Sequence, residues 1–147
     1  MRYMLIMRST PEAEAASKDI PFDEVLTAMG RYNDELIRAG VMLYGEGLAP
    51  PEDGGFVVDF NADPPAVTDG PYGEATTLFN GFWMLEVSSR DEAAEWARKC
   101  PLGPGVKLEV RRVPSIEEFP QDNEYVQKEK AWRDEHEPPL GQKNVVV

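Results

Sequence analysis

The chain has one cysteine and one histidine, Cys100 and His136. A lone cysteine excludes an intrachain disulfide and fits a reducing compartment, so the expected location is the cytoplasm. The same scarcity excludes the usual zinc sites, which draw several ligands from Cys and His. It also leaves Cys100 without a sequence-near histidine to draw off its proton, so the thiol reads as a small buried residue at a helix end. Carboxylates are numerous, but no loop spaces them as a calcium site requires. No metal and no cofactor is expected.

Other absences narrow the function further. There is no run of Lys and Arg, and the formal charge is −12. Phosphate backbones and anionic membrane surfaces are themselves negative, so neither nucleic acid nor membrane is an expected partner. The N-terminal apolar run, residues 3–7, is too short for a signal-peptide core or a membrane span. No Walker loop and no Gly-x-Ser-x-Gly elbow occurs. Gly45-Glu46-Gly47 begins like a dinucleotide loop, but the third glycine and the following helix are missing, and Pro50 and Pro51 come next. The chain has no internal repeats.

What remains is a 147-residue chain with 41% hydrophobic and 10% aromatic residues, enough to bury a core in one domain. Thirteen prolines and twelve glycines favour several loops over a helical bundle. Residues 2–8 form a nearly continuous apolar run, the pattern of a strand buried on both faces. Residues 9–19 read as a loop with room for a helical turn. Apolar residues Phe22, Val25, Leu26, Met29, Tyr32, Leu36 and Ile37 predict a helix over 21–39. Asp19 is its candidate N-cap, and Gly40 is placed for a left-handed C-cap.

Strands follow at 41–48 and 56–60, with a short one at 66–68 and another, apolar on both faces, at 79–87. Ser89 and Glu92 have capping-box spacing and open a second helix. Its buried face would hold Ala93, Trp96, Ala97 and Cys100. Residues 106–113 alternate: Val106, Leu108 and Val110 face one way, and Lys107, Glu109 and Arg111 the other.

This order predicts an α+β, ferredoxin-like fold with an inserted hairpin. Two helices cover one sheet face. Because strands 2–8 and 79–87 are apolar on both sides, the second face needs a cover too. A second copy of the sheet, stacked on it as a two-fold homodimer, is the economical solution. Residues 1–113 form this domain. Residues 114–147 form a C-terminal helical extension, with polar helices at 115–119 and 123–136 and a loop at 138–147. It is expected to pack on the domain or on the partner subunit through anchors such as Phe119, Tyr125 and Trp132.

Several blocks, in order, resemble one family. They are Gly40-Val41 with Gly45-Glu46-Gly47-Leu48, then Thr68-Asp69-Gly70-Pro71-Tyr72, Gly81-Phe82-Trp83, the run from Glu92 to Ala97 with Cys100-Pro101, and Glu109-Val110-Arg111. Together they resemble the YCII-related family, in particular its DGPF branch, over residues 1–113. The resemblance implies a small dimeric α/β-barrel protein. Tyr72 stands where the branch usually has Phe. After Glu74 come Ala75, Thr76 and Thr77, where the family signature has a lysine and a second acid. Relatives outside the branch pair a His with an Asp in the cleft and are similar to hydrolytic or dehalogenating enzymes. Here the histidine is far out in the tail, so no such dyad is carried over.

Candidate site residues follow from strand ends and turns. Asp69 and Glu74 flank the signature turn and are the candidates for acid–base work. Asp69 can equally cap its own turn. Glu46, with Tyr44 two positions earlier on the same strand face, is placed to line an inter-sheet cavity. Arg8 and Arg112 are the bases expected to reach it, as ligand contacts or as a structural ion pair. Tyr72 and Trp83 complete the expected lining, although Trp83 by itself reads first as core. The expected function is small-molecule binding between stacked sheets. The rival readings are an enzyme with a carboxylate acid or base (lyase, isomerase or hydrolase type) and a protein–protein module linked to transcription regulation.

Overall fold

The computed structural model describes residues 1–8, 10–74 and 78–137. The elements are β1 (Arg2–Arg8), α1 (Pro11–Ser17), α2 (Phe22–Arg38), β2 (Met42–Gly47), β3 (Phe56–Asp59), β4 (Ala66–Asp69), β5 (Phe79–Glu86), α3 (Arg90–Arg98), β6 (Leu108–Val113), a 3₁₀ turn (Ile116–Glu118) and α4 (Glu124–His136). Four strands form one sheet in the order β2-β5-β1-β6, and every neighbouring pair is antiparallel. β1–α2–β2 and β5–α3–β6 therefore interleave, each helix carrying the chain past one strand. That is the ferredoxin-like arrangement. β3 and β4 form a separate two-stranded hairpin inserted between β2 and β5.

The two strands with continuous apolar runs, β1 and β5, are the central pair. One sheet face is closed by α2 and α3. Tyr3, Leu5, Trp83 and Leu85 meet Tyr32 and Leu36 of α2 and Ala93 of α3 in a single core, with Val41, Val87 and Cys100 at its edge. The polar tips of the large aromatics are satisfied inside it. The Tyr32 hydroxyl donates to the Trp96 carbonyl at 3.0 Å, and the Trp83 indole N–H donates to Asn33 Oδ1 at 2.8 Å. The Tyr32 and Trp83 rings meet edge to face at 5.6 Å. Burial raises the pKa of the Tyr32 hydroxyl above its ordinary value, making it a weaker acid, and pushes the Cys100 thiol up to about 12, holding it protonated.

The ends of α2 show why the chain turns where it does. Gly40 has φ +72°; its N–H donates to the Ile37 carbonyl, and the Val41 N–H to the Leu36 carbonyl. This is a Schellman turn, with Val41 buried against the core as its apolar contact. At the N-terminus Pro21, not Asp19, occupies the cap position, and no side chain caps the helix. Only part of the predicted stripe is covered. Val25, Met29, Tyr32 and Leu36 lie i, i+4, i+7 and i+11 along the inward line, whereas Phe22, Leu26 and Ile37 flank it and stay exposed.

Three other local expectations are refined. Residues 11–17 form the helix α1 rather than a loop: Thr10 accepts from the Ala13 N–H, and Pro11 needs no hydrogen-bond acceptor in the first turn. At α3, Ser89 caps as its spacing predicts, but the Glu92 carboxylate accepts from Ser88, both N–H and Oγ–H, rather than from the cap itself. β6 begins at Leu108 rather than Val106, because Gly105, at φ +87°, is held in a loop against α1. Gly45 serves the sheet. A Cβ on Gly45 would stand 2.9 Å from the Phe82 carbonyl oxygen, so β2 approaches β5 closely only with glycine there.

Beyond β6 the Ser115 capping box closes the 3₁₀ turn, and the Asn123 side chain caps α4. The end of α4 is tied to the domain by the Arg2–Glu137 contact at 3.1 Å, and the helix is tied to the 3₁₀ turn by Lys130–Glu117 at 3.9 Å. The loop expected at 138–147 lies outside the described residues.

Leu36 is fully buried. Leu36→Ala is expected to lower the unfolding free energy by about 3 kcal/mol in urea titration. Gly40→Ala should cost about 1 kcal/mol through the left-handed turn. A Leu36→Ala cost near zero would contradict this account of the core.

Candidate functional site

Cross-strand register sorts the sheet's residues by face, because directly paired residues in antiparallel strands point the same way. The face away from the helices carries two transverse rows. One runs Glu46, Phe82, Ile6, Glu109; the next runs Tyr44, Met84, Met4, Arg111. Ile6 and Met84 are buried within this face, between their neighbours, while Tyr44 is 55% exposed. No helix among the described residues covers these rows. An aromatic ladder crosses them: Tyr44 meets Phe82 edge to face at 6.0 Å, and Phe82 stacks on Phe79 at 6.0 Å.

Phe79 connects this face to a groove. The groove has a volume of about 430 Å³ and lies between the β3–β4 hairpin and the ends of β2 and β5, walled by Leu48, Phe56, Val58, Tyr72, Leu78 and Phe79. The hairpin's register puts Phe56, Val58, Val67 and Asp69 on one of its faces, and all four are exposed. The signature turn leaves β4 directly at the groove. Gly70 adopts φ +109°, its N–H donates to the Gly55 carbonyl at 3.0 Å, and Pro71 and Tyr72 follow along the wall. Only a glycine accepts that backbone without strain.

The sequence candidates divide accordingly. Tyr44 and Glu46 share the uncovered face, and Asp69 and Tyr72 stand at the groove, linked to it through Phe79 and Phe82. Glu74 is exposed just past Tyr72. The described residues form no hydrogen bond with the Asp69 carboxylate, so it does not cap its own turn. Arg8 lies on the uncovered face but donates to Glu109 at 3.1 and 3.3 Å rather than spanning the sheet to Glu46. Trp83 is placed on the opposite side: strand alternation turns it into the helix-side core, where Asn33 holds its indole. Arg112 is also turned away. It pairs across β1 with Tyr3, a core residue, and its guanidinium grips the Glu118 carboxylate at 2.6 and 2.9 Å. Residues 75–77, where the family signature departs, lie outside the described residues.

Phe79, Phe82, Phe56 and Leu48 are not among the site residues that the sequence suggests. Alternation along 79–86 opposes Phe82 and Met84 to Trp83 and Leu85, and would have separated the two faces. The pairing of Phe56 with Asp69 required the hairpin register. Among the described residues no three of His, Cys, Asp and Glu converge as a metal site would need. No helix of the described residues is long and apolar enough to cross a membrane.

Comparison with known proteins completes the description. Residues 1–116 match the model of the YCII-related domain, and the chain belongs to that family. α4 lies beyond the matched region. No curated protein matches. Among solved structures, the chain is similar to 5-chloro-2-hydroxyhydroquinone dehydrochlorinase (TftG) from Burkholderia phenoliruptrix AC1100, in complex with 2,5-dihydroxybenzoquinone. The TM-score is 0.43 and the identity 13%, over 82% of this chain and 100% of that one.

The grip of Arg112 holds the Glu118 carboxylate at about 2, well below the usual carboxylate range. A depressed acid is linked to stability present above its unfolded pKa and lost as pH falls through the folded value. The Arg112–Glu118 contact should therefore persist at pH 4 and open only near pH 2. Carboxyl ¹³C NMR should show Glu118 titrating near 2, and Arg112→Gln should return it toward 4.5. A wild-type midpoint near 4.5 would mean that Arg112 is free to meet a ligand.

Proposed function

We propose that this YCII-related protein, of the DGPF type, is a cytoplasmic homodimer that binds a small molecule where two uncovered sheet faces stack. The observation that carries the reading is the continuity of an uncovered apolar sheet face with a groove. Tyr44, Phe82 and Phe79 form one aromatic path from the middle of the face to the groove wall. Stacking a second copy on this face removes Tyr44, Phe82 and Met4 from water, at roughly 25 cal/mol per Å² of apolar surface buried. It also places a roof beside the groove. The exposed apolar face of the hairpin, with Phe56 at 62% and Val67 at 65%, extends the same surface.

In this reading Tyr72 and Phe79 supply contact area, and Asp69 and Glu46 supply charge at the rim. Residues 114–137 act as an extension that fastens along the domain through the Arg2–Glu137 contact. The acid–base reading draws less support. Asp69 is solvent-exposed, and a carboxylate is tuned for proton transfer chiefly by burial or by a charged neighbour. No observation favours the transcription-linked module.

Tyr44→Arg puts a charge in the centre of the proposed interface on a residue that the single chain leaves exposed. Sedimentation velocity is expected to show at least about a tenfold weaker self-association than wild type, with an unchanged far-UV circular dichroism spectrum. Wild-type-like association of the variant would place the dimer contact elsewhere.

A further inference from the structure

We propose that the groove beside the signature turn takes a hydrophobic organic cation: an amine or quaternary ammonium on an apolar or aromatic frame. This rests on the binding reading above and adds the charge of the ligand. The walls fix the frame. Leu48, Phe56, Val58, Leu78 and Phe79 give an apolar lining, and a volume of about 430 Å³ suits a molecule of one or two rings.

The charge comes from the lobe in which the groove is built. Between Arg38 and Arg90 the chain carries eight Asp or Glu residues and no Lys, Arg or His. Every residue lining the groove belongs to that stretch. Six of the eight acids lie from Glu52 to Glu74, in the hairpin segment, while Glu86 is paired with the N-terminal amine and Arg2. This local excess of acid favours a negative potential at the groove mouth. Two carboxylates stand at defined positions near it. Asp69 shares a hairpin face with the wall residue Phe56, and Glu46 sits in the row of Phe82, which stacks on the wall residue Phe79. The rings of Phe56, Tyr72 and Phe79 offer faces to a cation.

A carboxylate or phosphate ligand finds no complement here. A base does stand in register with the wall, Arg8 opposite Phe79, but Glu109 engages its guanidinium. A bare metal ion lacks a converging ligand set among the described residues. The positive charge therefore has to arrive on an organic frame.

Isothermal calorimetry on the whole chain with three probes of one frame tests this: naphthylmethylammonium, naphthylmethanol and naphthoate. The ammonium is expected to bind at least about tenfold tighter than the alcohol, and naphthoate more weakly than both. The preference should shrink in about 0.5 M NaCl, where charges are screened within a few ångströms. Asp69→Asn should narrow it about threefold, and Phe79→Ala should remove binding of the ammonium. Equal affinity for ammonium and alcohol, or preference for naphthoate, overturns the charge assignment and leaves the groove a binding site. Ammonium binding unchanged in Phe79→Ala assigns the effect to the acidic surface at large and overturns the proposal. Failure of all three probes overturns the groove as a site, and the binding reading with it.

Discussion

The structure depends on one constraint: its two central strands are apolar on both sides, and the described residues supply helices for only one. Leu5 and Leu85 point into the helix-side core and are fully buried. Their alternating neighbours Ile6 and Met84 point the other way, and they are nearly as well shielded by the sheet's own side chains. An antiparallel sheet with one wet face normally alternates apolar with polar along each strand. β6 does so, with Leu108 and Val110 set against Glu109 and Arg111, because it lies at the edge. β1 and β5 do not, and this departure leaves an apolar face that the described helices do not cover.

Charge opposes that surface. Two chains of formal charge −12 repel, although salt confines the repulsion to about 10 Å at 0.1 M. The uncovered face itself meets the problem locally. It is acidic at its β2 edge, through Glu46, and mixed at its β6 edge, where Arg8, Glu109 and Arg111 cluster. The apolar rows lie between these edges. Six further acids, from Glu52 to Glu74, lie in the hairpin segment rather than in the middle of the sheet.

Most of the architecture was legible in the sequence because hydrophobic period and turn chemistry agreed. Seven apolar positions announced α2, Gly40 announced its end, and the Ser89 spacing announced α3. The doubly apolar runs at 2–8 and 79–87 are the two central strands, as their pattern requires. The site was less legible, for a physical reason. A residue's face in a strand depends on register and on single-residue irregularities such as the one between Met42 and Tyr44, and neither is written locally. A strand apolar on both faces lets Trp83 be read with Tyr44 and Glu46, yet pairing sets it on the other side of the sheet. Arg112 was assigned to the cavity, but Glu118, six residues on, reaches it first. The signature turn was read correctly as a turn, with Gly70 at positive φ, while the groove beside it depends on Phe56 and Phe79, far apart in sequence and joined only by the hairpin's position.

The central claim is that a second copy covers the uncovered face. Native mass spectrometry of freshly purified protein tests it most directly. The account predicts a species at twice the 16.5 kDa chain mass, with any retained small molecule adding a discrete mass to it. A species at the single-chain mass, across micromolar concentrations and low salt, would contradict the stacking of the sheets and every role assigned to Tyr44 and Glu46 between them.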